Sequence, residues 1–579
     1  MRTGELPSNL TDQAATPHSN QQAGRLARKI GPTAAILALA AVLLLLADAL
    51  LLWWHSGVYR VPIGNFRDRY FLEGAYPQET APDGTTYRWT QADSRLWLNE
   101  VGVGSATLLE LNLGGRPSPA DLALTLQGQP WLNMTAATAP RRYTLLLPPG
   151  ASGQVWVGIT SPTFQVPGDQ RRLGFKFEQF AIRNLHAGLP LPPTGQYLVQ
   201  LALLVAVTLT VARLAWRPLA LATLLAALAV ALAVLLSTEL LLAWEFLPRL
   251  AIAAGVLALL TWVALPIMQR WLVEGARPGA GFVEARELRI LWALMLAAIA
   301  IRWVGVLNPS FGGQDLGRNL DRLLSTMVGQ LYIIAPSGEF AKGLTIYPTG
   351  PYLALMPLYL LTADMASIMQ GGLALMDGAT ALLVALLAYQ LGGGKQAARV
   401  GLVLYAGNIA AFSAMSYSFS AQIFGQWFTA PLALLLLCSA WPPRRVTWLL
   451  AMILMSCAVF SHIGVALLAI GWMGLTLLLL TLTRRRVPWW AWAMFGAAGL
   501  IAFGFLYIEI VADTLRHATE SVVPRSVGSG SLLRGWRILL LNGLRIGYSD
   551  IGLALLPFGL ALFIRAARQA RDDRWIVPV

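Results

Sequence analysis

The feature that most constrains this chain is a recurrence of apolar runs about as long as a bilayer is thick, ~20 residues in helical form. The first, residues 33–54, carries a single charge, Asp48. Only 12% of the residues are charged and 56% are hydrophobic. A soluble domain carries about 25% charged residues. A soluble multidomain enzyme is therefore excluded, and the chain reads as a polytopic α-helical membrane protein.

The net charge of +14 does not indicate nucleic acid. Lys and Arg cluster at the ends of the apolar runs, as the positive-inside rule requires, so the basicity reports topology. The two cysteines, Cys438 and Cys457, lie inside apolar segments and exclude a disulfide scaffold and a cysteine-based zinc site. The five histidines, His18, His55, His186, His462 and His517, never form a His-x-x-x-His pair, so a metalloprotease helix is absent.

Residues 1–32 are predicted to be a disordered cytosolic tail, polar at first and ending in Arg25, Arg28 and Lys29. The run at 33–54 is too long for a signal-peptide core and lacks a cleavage site, so it is predicted to be an uncleaved anchor. From 57 to 189 the pattern changes. Leu109, Leu111 and Leu113 alternate with polar residues, as do Leu122, Leu124 and Leu126, and Phe175 and Phe177. Period two broken by Pro and Gly predicts an extracytoplasmic all-β sandwich inserted after the first helix.

Further spans are expected at 196–215, 218–237, 249–269, 288–306, 372–391, 398–415, 421–440, 446–460, 463–483, 488–508 and 551–567. Basic markers between them (Arg213 with Arg217, Arg270 to Arg289, Lys395 with Arg399, Arg444 with Arg445, Arg484 to Arg486, Arg565 to Arg574) are assigned to the cytosol. The connection at 238–248, with Glu239 and Glu245, is expected to be external. Segment 350–361 holds Pro351 and Pro357 and is short, so it is predicted to be re-entrant or to lie along the outer face. About 12–13 transmembrane helices result, with both termini inside, the last being the tail 568–579. Four polar stretches then share the outer side: 307–348, 416–422, 461–462 and 509–550.

The first of these reads Asn308-Pro-Ser-Phe-Gly-Gly-Gln-Asp315-Leu-Gly-Arg318-Asn-Leu-Asp321-Arg322 and ends at Tyr347-Pro-Thr-Gly-Pro351-Tyr352. An acid shortly after a span, an amphipathic stretch and a Tyr-Pro-x-x-Pro entry resemble the first external loop of the GT-C membrane glycosyltransferases. That superfamily uses polyprenyl-phosphate sugars and includes mannosyltransferases and aminoarabinose transferases. The likeness covers about 288–565, within a core assigned to 288–567. Tyr87-Arg88-Trp89 and the run from Phe164 to Gly174 resemble the β-sandwich modules that precede such cores, which implies carbohydrate binding.

The resemblance implies transfer of a sugar from a polyprenyl-phosphate donor to an envelope glycan, lipid or protein acceptor, with inversion, at a bacterial-type plasma membrane. Membrane lipids are partners; nucleic acid is not. It places the catalytic base at Asp315, the first external acid. Family members often carry two adjacent acids there, whereas Gln314 stands beside Asp315, and a lone carboxylate is a poor site for a divalent metal. No cofactor is assigned; a divalent metal is the open alternative, which the lone Asp315 does not support. On residues alone Asp315 also fits an N-cap of the following helix.

Arg318, Asp321, Tyr347, Tyr417, Gln422, His462 and Arg537 are the candidate substrate-binding residues. The bland alternatives are an exposed helix acid for Asp321, an interfacial aromatic belt for Tyr417 and its neighbours, and a turn residue for His462. Glu339 and Lys342 read as solvated loop charges. Asp48 and Asp377 lie inside spans, where carboxylates are costly, with no intramembrane partner evident in the sequence. The competing functions are a transporter or flippase of lipid-linked or envelope polymers, and a non-catalytic anchor for the sandwich.

Overall fold

In the computed structural model, the described residues are 17–504, apart from 56–57, 66, 100, 102–105, 150–153, 186–189, 275–282, 331–332, 337–343, 361–363, 440–443 and 483–486, with 508, 557 and 561 beyond. The chain divides into two compact units, Met1–Trp262 and Val263–Val579.

The N-terminal unit begins with helix α1 (Pro17–Trp54). It starts well inside the segment expected to be disordered. The stretch around Gln21–Ala27 is rich in Gln, Ala, Arg and Leu, which have high helix propensity, and it extends the apolar helix backwards. Ten strands follow: β1 (Tyr59–Pro62), β2 (Leu72–Ala75), β3 (Glu79–Thr80), β4 (Thr86–Asn99), β5 (Ala106–Gly114), β6 (Ala120–Leu126), β7 (Gln129–Ala136), β8 (Arg141–Leu147), β9 (Gln154–Thr160) and β10 (Lys176–Leu185). All pair antiparallel, in the order β7-β6-β9-β4-β10-β5-β8, with β1 on β10 and β2 and β3 on β4.

The alternation in the sequence is the inward face. Leu109, Leu111, Leu113, Leu122, Leu124, Phe175 and Phe177 are buried together with Leu96, Leu98, Val157 and Ile159. A bulge between Phe177 and Gln179 resets the period, so that Phe180 and Ile182 also point into the core.

Helices α2 (Thr194–Leu214), α3 (Pro218–Thr238) and α4 (Leu240–Gln269) complete this unit's membrane part. The expected external connection at 238–248 is corrected here: only Glu239 separates α3 from α4, because the Leu240–Trp244 run is apolar and continues as helix. Glu239 accepts a 2.6 Å hydrogen bond from Arg67. The Tyr59 hydroxyl donates to the Ser237 carbonyl at 2.9 Å, and Arg249 donates to the Tyr70 hydroxyl at 3.2 Å. Burial pushes the Tyr59 hydroxyl up to about 12, so it stays a donor at any physiological pH. The sandwich is thus seated on the turn between α3 and α4.

In the second unit, α5 (Ala285–Val306) leads to α6 (Leu316–Met327), a hairpin of β11 (Ile333–Pro336) and β12 (Leu344–Tyr347), and the six-residue α7 (Gly350–Leu355) with a 3₁₀ turn at Met356–Leu360. At 1.5–2 Å per residue these eleven residues reach about 20 Å, short of the ~30 Å of hydrocarbon. The remaining helices are α8 (Met365–Ala388), α9 (Gly394–Ala406), α10 (Ile409–Tyr417), α11 (Ser420–Cys438), α12 (Arg445–Val459), α13 (Ile463–Leu482) and α14 (Trp489–Ala502). Among the described residues nine helical segments are long and apolar enough to cross a membrane, with α12 and α14 as shorter apolar helices. The expected span at 551–567, apart from 557 and 561, lies outside the described residues.

The span expected at 398–415 is two helices, α9 and α10, parted at Gly407–Asn408. Asn408 caps α10 by accepting from the Ala410 amide at 2.8 Å. At the other end of α9, Lys395 pairs with Glu284 at 2.7 Å and Arg399 with Glu287 at 2.5 Å. These bonds put the start of α5 and the start of α9 on one membrane face, the arrangement that the basic loops predict. Cysteines introduced as Glu284→Cys and Lys395→Cys are expected to cross-link with a short bis-thiol reagent. Labelling of the two positions from opposite sides of intact cells by an impermeant maleimide would refute it.

Candidate functional site

The second unit gathers its polar side chains where α6, α7 and the ends of α8, α10 and α11 meet. Asp315 occupies the N-cap position of α6, yet its carboxylate accepts no backbone hydrogen bond from that helix. Its amide donates to the Tyr417 carbonyl at 3.0 Å and its own carbonyl accepts from the Asn319 amide at 2.9 Å. The carboxylate is about one-third exposed and faces Arg318 at 3.4 Å. Backbone bonds therefore fix the residue and leave its acid group for another partner.

Beneath it runs a buried network. Gln370 on α8 donates to Ser418 Oγ at 2.8 Å, Asn319 Nδ2 donates to the Ser418 carbonyl at 2.7 Å, and Tyr352 on α7 donates to Asn319 Oδ1 at 2.8 Å. Ser418 sits between α10 and α11 at φ 62°, a left-handed conformation uncommon for a non-glycine residue. Gly313 lies against it so closely that a Cβ there would run into Ser418 Oγ. Burial holds the Tyr352 hydroxyl above its usual range, so it remains a neutral donor.

The other sequence-predicted residues distribute as follows. Arg318 is exposed, and Asp321 is exposed on α6. Tyr347, at the end of β12, lies under Arg322, whose guanidinium carbon is 3.5 Å from the ring centroid. Arg322 also donates to Asn319 Oδ1 at 3.4 Å. Tyr417 is exposed and stacks on Phe419 at 5.4 Å. Gln422 is half-buried in the first turn of α11.

The Ser461–His462 turn packs near the same place: Ser461 Cβ is 2.9 Å from where a Cβ on Gly425 would lie, and Phe460 O is 3.8 Å from one on Gly350. His462 Nδ1 accepts from the Gly464 amide at 3.2 Å. Three of the four polar stretches expected to share a face are thus in contact through their neighbours. Arg537, like Glu339 and Lys342, lies outside the described residues.

Sequence reasoning missed Asn319, Gln370 and the role of Ser418. No local pattern marks them, because each is defined by a partner at least 33 residues away. It also missed the partner of Asp377. Arg302, fully buried on α5, donates to the Asp377 carboxylate and, at 3.3 Å, to the Ala406 carbonyl at the α9 break. The Tyr405 hydroxyl donates to Asp377 at 2.7 Å. The expectation of an unmatched Asp377 is corrected accordingly. Gly378 permits the approach of α5: a Cβ there would be 2.9 Å from the Ile299 Cα.

Tyr405 also lines a cavity of about 490 Å³ bounded by α8, α9, α11 and α13, with Gln426 and Thr429 among its few polar groups and Trp472 at its far side. Leu468, on its rim, is exposed. No group of three or more His, Cys, Asp or Glu side chains able to hold a metal occurs among the described residues.

In the sandwich, the two segments singled out by sequence come together. Trp89 meets Phe164 edge-on at 5.6 Å and Tyr87 at 6.0 Å. Glu79 accepts from the Tyr87 hydroxyl at 2.9 Å and from Arg171 at 2.6 Å. Hydrogen bonds from Arg171 hold the Asp169 carboxyl below the usual carboxylate range. Arg88 instead turns inward to the buried Asp68 at 2.7 Å, a structural pairing.

No family model and no curated protein matches the chain. Among solved structures, a family 35 carbohydrate binding module from Clostridium thermocellum aligns over 21% of this chain and 96% of its own, at 13% identity and a TM-score of 0.16. The C-terminal CBM6 of LamC from Zobellia galactanivorans aligns over 22% and 99%, at 8% identity and a TM-score of 0.16. The Podospora anserina GH26-CBM35 β-(1,4)-mannanase aligns over 26% and 34%, at 12% identity and a TM-score of 0.17. Alignments at such scores carry no inference to this chain.

Proposed function

We propose that the protein is an inverting membrane glycosyltransferase that takes a sugar from a polyprenyl-phosphate donor and passes it to an acceptor at the outer face of a bacterial-type plasma membrane. The observation that carries this reading is Asp315: an acid fixed through its backbone at a helix start, with a partly exposed carboxylate that caps no helix amide and meets Arg318 alone at 3.4 Å among the described residues. The acceptor hydroxyl gives its proton to Asp315 as its oxygen bonds to the anomeric carbon. The bond from that carbon to the phosphate oxygen breaks, and polyprenyl phosphate leaves with the electron pair. Arg318 and Arg322, the latter braced on Tyr347, supply fixed positive charge for the leaving phosphate. The apolar cavity below offers room for the first isoprene units of the donor.

The sandwich is assigned to the same outer side and to glycan binding, through the Tyr87–Trp89–Phe164 strip and its pinned charges. Trp89→Ala is expected to weaken retention on an envelope polysaccharide gel about tenfold, the worth of one aromatic contact. Unchanged retention would remove the sandwich from recognition. A cysteine in the 115–120 loop is expected to react with an impermeant reagent in intact cells.

A transporter of lipid-linked polymers is the second reading, favoured by the Arg302–Asp377 pair inside the spans. That pair is closed by Tyr405 and the Ala406 carbonyl, which suits a structural brace better than a conducting path. The test is direct. Purified protein in lipid nanodiscs, given a polyprenyl-phosphate sugar and candidate acceptors, is expected to release polyprenyl phosphate with an inverted anomeric product. Movement of intact donor across vesicles without sugar transfer would establish the second reading instead.

A further inference from the structure

We propose that Asp48, Gln196 and Gln200 form a binding site for one monovalent cation within the membrane helices of the N-terminal unit. Asp48 belongs to the buried stripe of α1, in line with Ala40, Leu44 and Leu52. It lies six residues from the sandwich end of that helix. Gln196 and Gln200 stand one turn apart on one face of α2, near its sandwich end. Asp48 and Gln200 are 0% exposed and Gln196 is 1% exposed. Gln200 is the polar side chain set against Asp48.

Both carboxylate oxygens of Asp48, the Oε1 of Gln196, and the Oε1 and Nε2 of Gln200 have no hydrogen-bond partner among the described residues. Four of these five orphaned atoms are acceptors. The Gln200 Nε2 is the one donor among them and is the group set against Asp48, which still leaves acceptors in excess. Acceptors in surplus at a buried site call for positive charge, and among the described residues no Lys or Arg of α2 or α3 lies beside them. The helices packed against α1 are α2 and α3. Helix α3 has no ionisable residue; of the two on α2, Arg213 lies about 20 Å along the axis from Gln200, and Tyr197, which brings no positive charge, donates its hydroxyl to the Ala41 carbonyl at 3.0 Å.

An isolated carboxylate in such surroundings costs several kcal/mol. Oxygen-only donors of this kind suit hard, unpolarisable cations. The single formal charge of the site matches a monovalent ion rather than a divalent one.

The experiment uses the purified full chain in nanodiscs of neutral lipid, at fixed pH and ionic strength, with Na⁺ replacing choline. Two readouts are followed: modification of Asp48 by dicyclohexylcarbodiimide, located by mass spectrometry, and Tm. Na⁺ is expected to protect Asp48 saturably and to raise Tm with its concentration, since a ligand of the native state stabilises it by mass action. Gln200→Ala is expected to move the midpoint to at least tenfold higher Na⁺, and Asp48→Asn to abolish the Na⁺ dependence of Tm. Should Asp48→Asn fail to fold, the Gln200→Ala midpoint decides. Labelling and Tm that are the same in Na⁺, K⁺ and choline would overturn the proposal, as would a response to pH alone, which would mean that Asp48 holds a proton.

Discussion

Asp315→Asn is expected to lower sugar transfer by about 10²–10⁴, the usual cost of removing a positioned base, while expression and donor binding stay near normal. The separation of these effects follows from the local geometry. Asp315 is held by its backbone, through the Tyr417 carbonyl and the Asn319 amide, and asparagine keeps both bonds. Its carboxylate caps nothing, so the helix loses little when the charge is removed. The measurement is single-turnover transfer alongside the melting curve of the same preparation. If activity is retained, or if its loss follows loss of folded protein, Asp315 is not the base.

Removing either partner of the Arg302–Asp377 pair is expected to destabilise the second unit by about 3–5 kcal/mol, because the other charge is left buried without its counter-charge. Arg302 is fully buried and serves three helices: α5 carries it, α8 supplies Asp377, and α9 ends at the Ala406 carbonyl that it binds. Arg302→Met therefore also orphans a backbone carbonyl at the Gly407–Asn408 break. Asp377→Ala leaves the Tyr405 hydroxyl without its acceptor. The double variant Arg302→Met/Asp377→Leu is expected to recover much of the loss, since replacing a buried pair by apolar groups is often neutral. Equilibrium unfolding in mixed micelles reads all three. Single variants within 1 kcal/mol of the parent would show that water reaches the pair.

What could be read from the sequence was local in kind. Apolar runs and basic flanks mark the ends of α2, α3, α5, α11 and α13 within a few residues, though α1, α4 and α8 begin seven or more residues earlier than expected, and period-two patterning marks Leu109 to Leu113 as an inward strand face. Both signals depend on neighbours along the chain. Asp315 was legible by its position after a span. Its support was not, since Asn319, Tyr352, Gln370 and Ser418 become a network only when α6, α7, α8 and the α10–α11 turn meet. The same holds for Arg302, which reads as one charge in an apolar span until Asp377, 75 residues on, is placed beside it. The β11–β12 hairpin had a local signal in Ile333-Ile334 and Leu344-Thr-Ile-Tyr347, masked by the larger pattern of the loop. The α3–α4 connection was misjudged because Glu239 and Glu245 were read as a loop, whereas a helix tolerates Glu245 beside Arg249 one turn later.

The place of β10 in the sheet has a consequence for biosynthesis. It is the last strand made, yet it pairs with β1, β4 and β5, so the strands before it cannot close into one sheet without it. Thr194, the first residue of α2, follows Leu185 by only nine positions. The ribosome therefore supplies the closing strand and the next membrane helix almost together. Until then about 130 residues of unfinished sheet hang from α1. Delay at that step exposes open strand edges, which are prone to pair with other chains. The time between synthesis of β1 and synthesis of β10 sets how long the nascent sheet stays vulnerable.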